Sequence, residues 1–80
     1  MSELTYEAKK DFVDHAMSRC IAAMYPQVCR TEYRVRVDIG EPEEYVVLRL
    51  AGGYSRRVDV TALDLRETLD AVLAAFREAV

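Results

Sequence analysis

The sequence has a single histidine, two cysteines and no glycine-rich stretch that opens a helix. Acid–base or nucleophilic catalysis needs a tuned base beside a nucleophile or a second carboxylate. His15 has Asp11 and Arg19 as neighbours at helical spacing, on a polar helix side, which reads as a solvated histidine in a charged face. Cys29 stands beside Arg30, a setting that lowers a thiol pKa, but its segment holds no histidine to pair with it. Gly52-Gly53 sits between two strand patterns and reads as a hairpin tip, not a phosphate loop. Cys20 and Cys29 are too few and too isolated for a metal cluster, and two cysteines in a cytosolic chain are expected to be reduced. The expectation is a protein that is not an enzyme and holds no catalytic residues, no metal and no cofactor.

Long apolar runs are also missing: none approaches the roughly 18 residues of a membrane span. The opening MSELTYEAKK lacks the basic and then apolar layout of a secretory signal, so a cytoplasmic protein with no membrane partner is expected. Positive charge is not in excess, since 14 acids stand against 11 bases for a net charge of -3. That balance argues against the broad positive field of a general nucleic-acid binder. There is no internal repeat, linker or low-complexity segment.

What is present is the composition of a folded soluble domain, 51% hydrophobic and 31% charged. Residues 1–80 make one compact domain. A chain of this length buries only about 60% of the surface that it exposes when unfolded, so little room is left for a deep cleft. Nine of the 11 bases are arginine, which reflects either a GC-rich genome or a need for planar, bidentate contacts.

Apolar residues recur at helical spacing between Leu4 and Met24, with Phe12, Val13, Ala16, Met17, Cys20, Ile21 and Met24 on one face. The pattern predicts a helix of about five turns that ends at Tyr25, because Pro26 disfavours helical geometry there. Cys20 on that stripe is expected in the core. Gln27 to Arg30 read as a connector. In TEYRVRVDIG a period of two puts Tyr33, Val35, Val37 and Ile39 on an inner face and Glu32, Arg34, Arg36 and Asp38 on an outer one. Gly40 and Pro42 mark a turn into a second strand, where Val46, Leu48 and Leu50 face inward and Tyr45, Val47, Arg49 and Ala51 outward.

LAGGYSRRVDV poses a parity question, because adjacent Arg56 and Arg57 must take opposite sheet faces. A three-residue Ala51-Gly52-Gly53 loop, a type I turn closed by a left-handed Gly53, sets Leu50 beside Tyr54, Val46 beside Val58 and Arg49 beside Ser55. A two-residue turn would put Leu48 beside Arg57 and is rejected. Arg57 is then outward, while Arg56 lies inward near the hairpin tip, where its stem can snorkel to water. Two overlapping capping signals follow, Thr61 with Asp64 and Asp64 with Glu67, with Val60 and Leu65 as a staple for the first. Leu65, Leu69, Val72, Leu73 and Phe76 form the stripe of a second helix. The fold class is therefore α+β: a three-stranded antiparallel β-meander with two helices packed on one face, in the order αβββα, leaving one sheet face bare.

A tight first hairpin lays rows across that bare face: Arg34, Arg49, Ser55; then Arg36, Val47, Arg57; then Asp38, Tyr45, Asp59. Arginine and tyrosine around a small apolar centre match the makeup of interface hot spots, which makes Arg34, Arg36, Tyr45, Val47, Arg49 and Arg57 the candidate partner-binding residues. The competing reading is ordinary solvated strand residues balanced by Asp38 and Asp59. A second candidate surface is acidic: Glu3, Glu7, Asp11 and Asp14 along the first helix, with Glu41, Glu43 and Glu44 in the first hairpin loop. Acids there also serve the helix dipole and solubility.

In general character the chain resembles the small phage-borne anti-CRISPR proteins: a mildly acidic single α+β domain with charged surfaces and no catalytic constellation. Neither LAGGY nor YSRRVDV is a signature of that group. The resemblance implies a non-enzymatic inhibitor that binds a bacterial CRISPR interference complex, a nucleoprotein defence complex, in the host cell cytoplasm. The alternatives are a small regulatory nucleic-acid-binding domain using the arginine-rich face, with phosphate contacts and steep salt dependence, and self-association as a homodimer through the bare sheet or the second helix. A redox role for Cys20 and Cys29 is a fourth.

Overall fold

A computed structural model describes residues 5–37 and 39–79. Thr5 caps the first helix, its Oγ1 accepting the Ala8 N–H at 3.1 Å. The helix runs as α1 (Tyr6–Asp11), a π-helical stretch over Phe12–Met17, and α2 (Ser18–Met24). Tyr25 leaves helical geometry at φ -128° and ψ 93°, as its position before Pro26 requires.

The π-helical stretch corrects the expected apolar face. Its wider turn steps burial by four residues, through Lys9, Val13, Met17 and Ile21. Side chains at the three-residue steps then swing outward: Ala16, Cys20 and Met24 are exposed, so Cys20 is not a core residue. Leu4, the expected start, lies outside the described residues.

Three strands follow, β1 (Val28–Arg36), β2 (Glu43–Leu50) and β3 (Ser55–Asp59), in an antiparallel sheet of order β1-β2-β3. Strand β1 begins inside the expected connector. A bulge at Cys29 lets Val28 pair with Leu50 and Arg30 with Arg49, so Val28 and Thr31 both face inward despite their odd separation. The first hairpin closes at Arg36 opposite Glu43. Val37 and Ile39 are therefore in the loop, 73% and 102% exposed, and not on the inner face.

This register is four residues away from the tight hairpin expected: Arg34 lies opposite Tyr45 and Glu32 opposite Val47. The even shift preserves the faces. The cause is Glu44, which points inward and needs polar partners. The tight register would put it opposite Ile39; the observed one puts it opposite Val35, within reach of Tyr33 and Lys9.

The second hairpin has the expected pairing, Val46 with Val58, Val47 with Arg57 and Arg49 with Ser55. The Leu50 N–H donates to the Tyr54 carbonyl at 2.8 Å across the Ala51–Gly53 loop. Its turn is not type I: Gly52, at φ 82° and ψ 10°, is left-handed where a type I turn needs a negative φ, and Gly53 also has φ 82°. Arg56 lies opposite Leu48 and reaches solvent.

Helix α3 (Leu65–Ala79) uses the second of the two start signals. Asp64 Oδ1 accepts the Glu67 N–H at 2.8 Å, and Glu67 Oε1 accepts the Asp64 N–H at 3.1 Å. Thr61 is no cap; its N–H and hydroxyl donate to Asp59 Oδ1 at 3.0 and 2.7 Å.

The helices close over the inner sheet face around Val13, Met17, Ile21, Val46, Leu48, Val60 and Val72, each at most 1% exposed. Tyr25 and Phe76 stack across them, 4.7 Å between centroids and 9° between planes. Among the described residues no helix is long and apolar enough to cross a membrane.

Candidate interaction surface

The outer face carries the rows Arg30, Arg49, Ser55; then Glu32, Val47, Arg57; then Arg34, Tyr45, Asp59. Val47 and Tyr45 are half-buried at its centre. All six predicted contact residues remain on this face, but their neighbours differ from those expected. Arg34, Tyr45, Val47, Arg49 and Arg57 are brought together, whereas Arg36 lies at the strand end opposite Glu43. Asp38, expected opposite Tyr45, lies outside the described residues.

Glu32 organises the cluster. Arg49 Nε donates to its Oε2 at 2.8 Å, and the guanidinium nitrogens of Arg30 and Arg34 each lie 3.4 Å from its Oε1. Its side chain is only 14% exposed, against 44–64% for the three arginines. The Arg49 hydrogen bond, with the charges of Arg49, Arg30 and Arg34, holds this carboxyl below the usual carboxylate range despite the opposing effect of burial. The fourth arginine is placed differently: the Arg57 guanidinium lies over the Tyr45 ring, 4.9 Å from its centroid. The face therefore presents planar cations already held in position around apolar surface.

Arg30 and Glu32 belong to this arginine cluster but are absent from the candidate residues expected from sequence. Alternation placed Glu32 outward, but the tight hairpin would have set it beyond the arginine rows.

The acidic surface is broken up. Asp14 turns inward, its Oδ1 accepting the Tyr33 N–H at 2.8 Å and its Oδ2 a bond from Lys10 at 2.7 Å. Glu44 is not a loop residue but is 5% exposed within β2. Its Oε1 accepts from Lys9 Nζ at 2.7 Å and from the Tyr33 hydroxyl, and its Oε2 accepts the Ala62 N–H at 2.9 Å. Glu7 and Asp11 remain exposed, and Glu3 lies outside the described residues. Lys9 and Tyr33 are 8% and 2% exposed; this closed cluster ties the first helix and the segment before α3 to the sheet.

Ala62 adopts φ 62°, a left-handed geometry that costs a side-chain-bearing residue about 1–2 kcal/mol. Urea denaturation is expected to show Ala62→Gly as stable as the parent or more so, by up to about 1 kcal/mol, and Ala62→Val less stable by about 1 kcal/mol or more.

The remaining chemistry-bearing residues are dispersed. His15 is exposed, its Nδ1 3.0 Å from the Asp11 carbonyl oxygen. Cys20 and Cys29 are exposed free thiols. Among the described residues no three His, Cys, Asp or Glu side chains are grouped to hold a metal ion. A scan against protein-family models and searches of curated proteins and of solved structures each return no match.

Proposed function

We propose that this protein is a non-enzymatic interaction module that inhibits a larger assembly by surface contact, in the manner of an anti-CRISPR blocking a bacterial CRISPR interference complex. The observation that carries the reading is the uncovered sheet face, where three arginines converge on Glu32 and a fourth rests on Tyr45. Side chains already fixed in place lose less entropy on binding, and arginine with tyrosine supplies hot-spot chemistry.

A protein partner is favoured over a phosphate backbone. Glu32 and Asp59 offset part of the charge of Arg30, Arg34, Arg49 and Arg57, and Tyr45 is covered by Arg57 and so is not an open platform for base stacking. The partner surface that fits is acidic, with an apolar point to meet Val47.

The test is calorimetric titration into a panel of reconstituted CRISPR interference complexes and, separately, into single- and double-stranded DNA and RNA at several salt concentrations. Saturable binding to a complex through its protein subunits is expected. Binding to bare nucleic acid with a steep salt slope, and to no complex, would overturn the reading.

A further inference from the structure

The two sheet edges differ. On β1 the outward N–H groups of Thr31 and Tyr33 are taken up by Ser18 Oγ at 3.0 Å and Asp14 Oδ1 at 2.8 Å, so the first helix plugs that edge. On β3 the bonds from Leu50 N to Tyr54 O and from Val60 N to Glu44 O set the phase of the ladder: Tyr54, Arg56, Val58 and Val60 turn their backbone groups toward β2. By alternation Ser55, Arg57 and Asp59 direct N–H and C=O away from the sheet. No group among the described residues takes these up.

An open row of this kind is a template for another strand, and the charges beside it decide which strand fits. We infer that β3 pairs antiparallel with β3 of a second copy across a twofold axis, joining the two sheets into one. Centring the axis on Arg57 sets Arg57 against Arg57, and centring it on Arg56 sets Arg56 against Arg56. Centring it on Asp59 opposes two carboxylates, and centring it on Ser55 runs the pairing into the hairpin loop. Centring on Val58 sets Arg57 opposite Asp59 of the partner subunit on both sides of the axis, with Val58 beside Val58 on the inner face.

The side chains are disposed for that register. Arg57 is held on the outer face over Tyr45, and of the two Asp59 carboxylate oxygens Thr61 engages Oδ1, leaving Oδ2 for a guanidinium. Arg56 and Arg57 meanwhile repel the other registers, so an edge guarded against indiscriminate pairing still accepts its own copy. The register supplies about four backbone hydrogen bonds. A contact so much smaller than a standard interface makes a weak, concentration-dependent dimer.

Sedimentation velocity from micromolar to millimolar concentration tests this, on the parent, Arg57→Asp, Asp59→Arg and the double exchange. Parent dimerisation is expected, weakened about tenfold or more by either single reversal, which creates two like-charge pairs, and restored by the exchange. Arg57→Pro removes an outward N–H without touching the β2 ladder and should also weaken the dimer; circular dichroism confirms the fold of each variant. A monomer at millimolar concentration would overturn the inference, as would a dimer indifferent to the single reversals or an exchange that restores nothing. No other partner is present, so such a failure leaves the sheet-face function standing.

Discussion

Glu44→Ala is expected to lower the unfolding free energy by about 3–5 kcal/mol, the cost of stranding a buried charge when its partner is removed. Lys9 would keep its ammonium in a site only 11% exposed, and the Tyr33 hydroxyl and Ala62 N–H would lose their acceptor. A domain of this size has few kcal/mol to spare, so the variant is expected to be partly unfolded at room temperature. The double variant Lys9→Met, Glu44→Leu should be more stable than Glu44→Ala, because it removes both charges and keeps apolar volume. Urea denaturation of the three proteins checks this; a loss below about 1 kcal/mol for Glu44→Ala would mean that the cluster does not fasten the helix to the sheet.

The same cluster sets an acid limit. Burial by itself raises the Glu44 pKa, but hydrogen bonds from Lys9, Tyr33 and the Ala62 N–H outweigh it and hold the carboxyl below its ordinary range. A carboxyl with a depressed folded-state pKa contributes stability that is fully present above the unfolded value of about 4.3 and is lost as pH falls through the folded value. Stability is thus expected to be steady from neutral pH down to about 5 and to decline below about 4, with a shallower decline in Glu44→Gln. Equal acid slopes for the two proteins would contradict this.

The second large effect is on binding. Arg49→Glu with Arg57→Glu reverses two charges beside Val47, removes the Arg49 bond to Glu32 and uncovers Tyr45. Each position is expected to act as a hot spot of about 2 kcal/mol or more, so the pair weakens partner binding by roughly 700-fold or more. Both side chains are solvent-facing, so melting should change little. Arg36→Glu, at the strand end opposite Glu43, is expected to cost less than tenfold. Arg36→Glu weakening binding as much as the double reversal would move the contact to the hairpin end of the sheet.

The contrast between the two hairpins shows what could be read from sequence. The second hairpin was legible because its short loop leaves few registers, and face parity between Leu48, Arg56 and Arg57 rejects the wrong one. The Asp64 and Glu67 cap was legible because both halves of a capping box stand three residues apart. The first hairpin has a longer loop, and its register rests on the inward Glu44, whose partners Lys9 and Ala62 are distant in sequence. An acid in GEPEE looks like a loop acid until those partners are known.

The first helix hid its turn for a related reason. Apolar residues occur at both three- and four-residue steps, and the π-helical stretch uses the four-residue step alone. Cys20 therefore stands outside a core that ordinary helical spacing assigns to it. The candidate face was legible as a face, since alternation is indifferent to an even register shift. Its internal order, with Glu32 among three arginines, depends on the register and was not.

The most direct test of the proposed function is target cleavage by a reconstituted CRISPR interference complex to which the protein binds, measured against increasing inhibitor. Complete inhibition near a stoichiometric ratio is expected with the parent, and none over the same range with Arg49→Glu, Arg57→Glu. Full cleavage in the presence of saturating parent protein, or equal inhibition by the double variant, would contradict the assignment of this sheet face as an inhibitory surface.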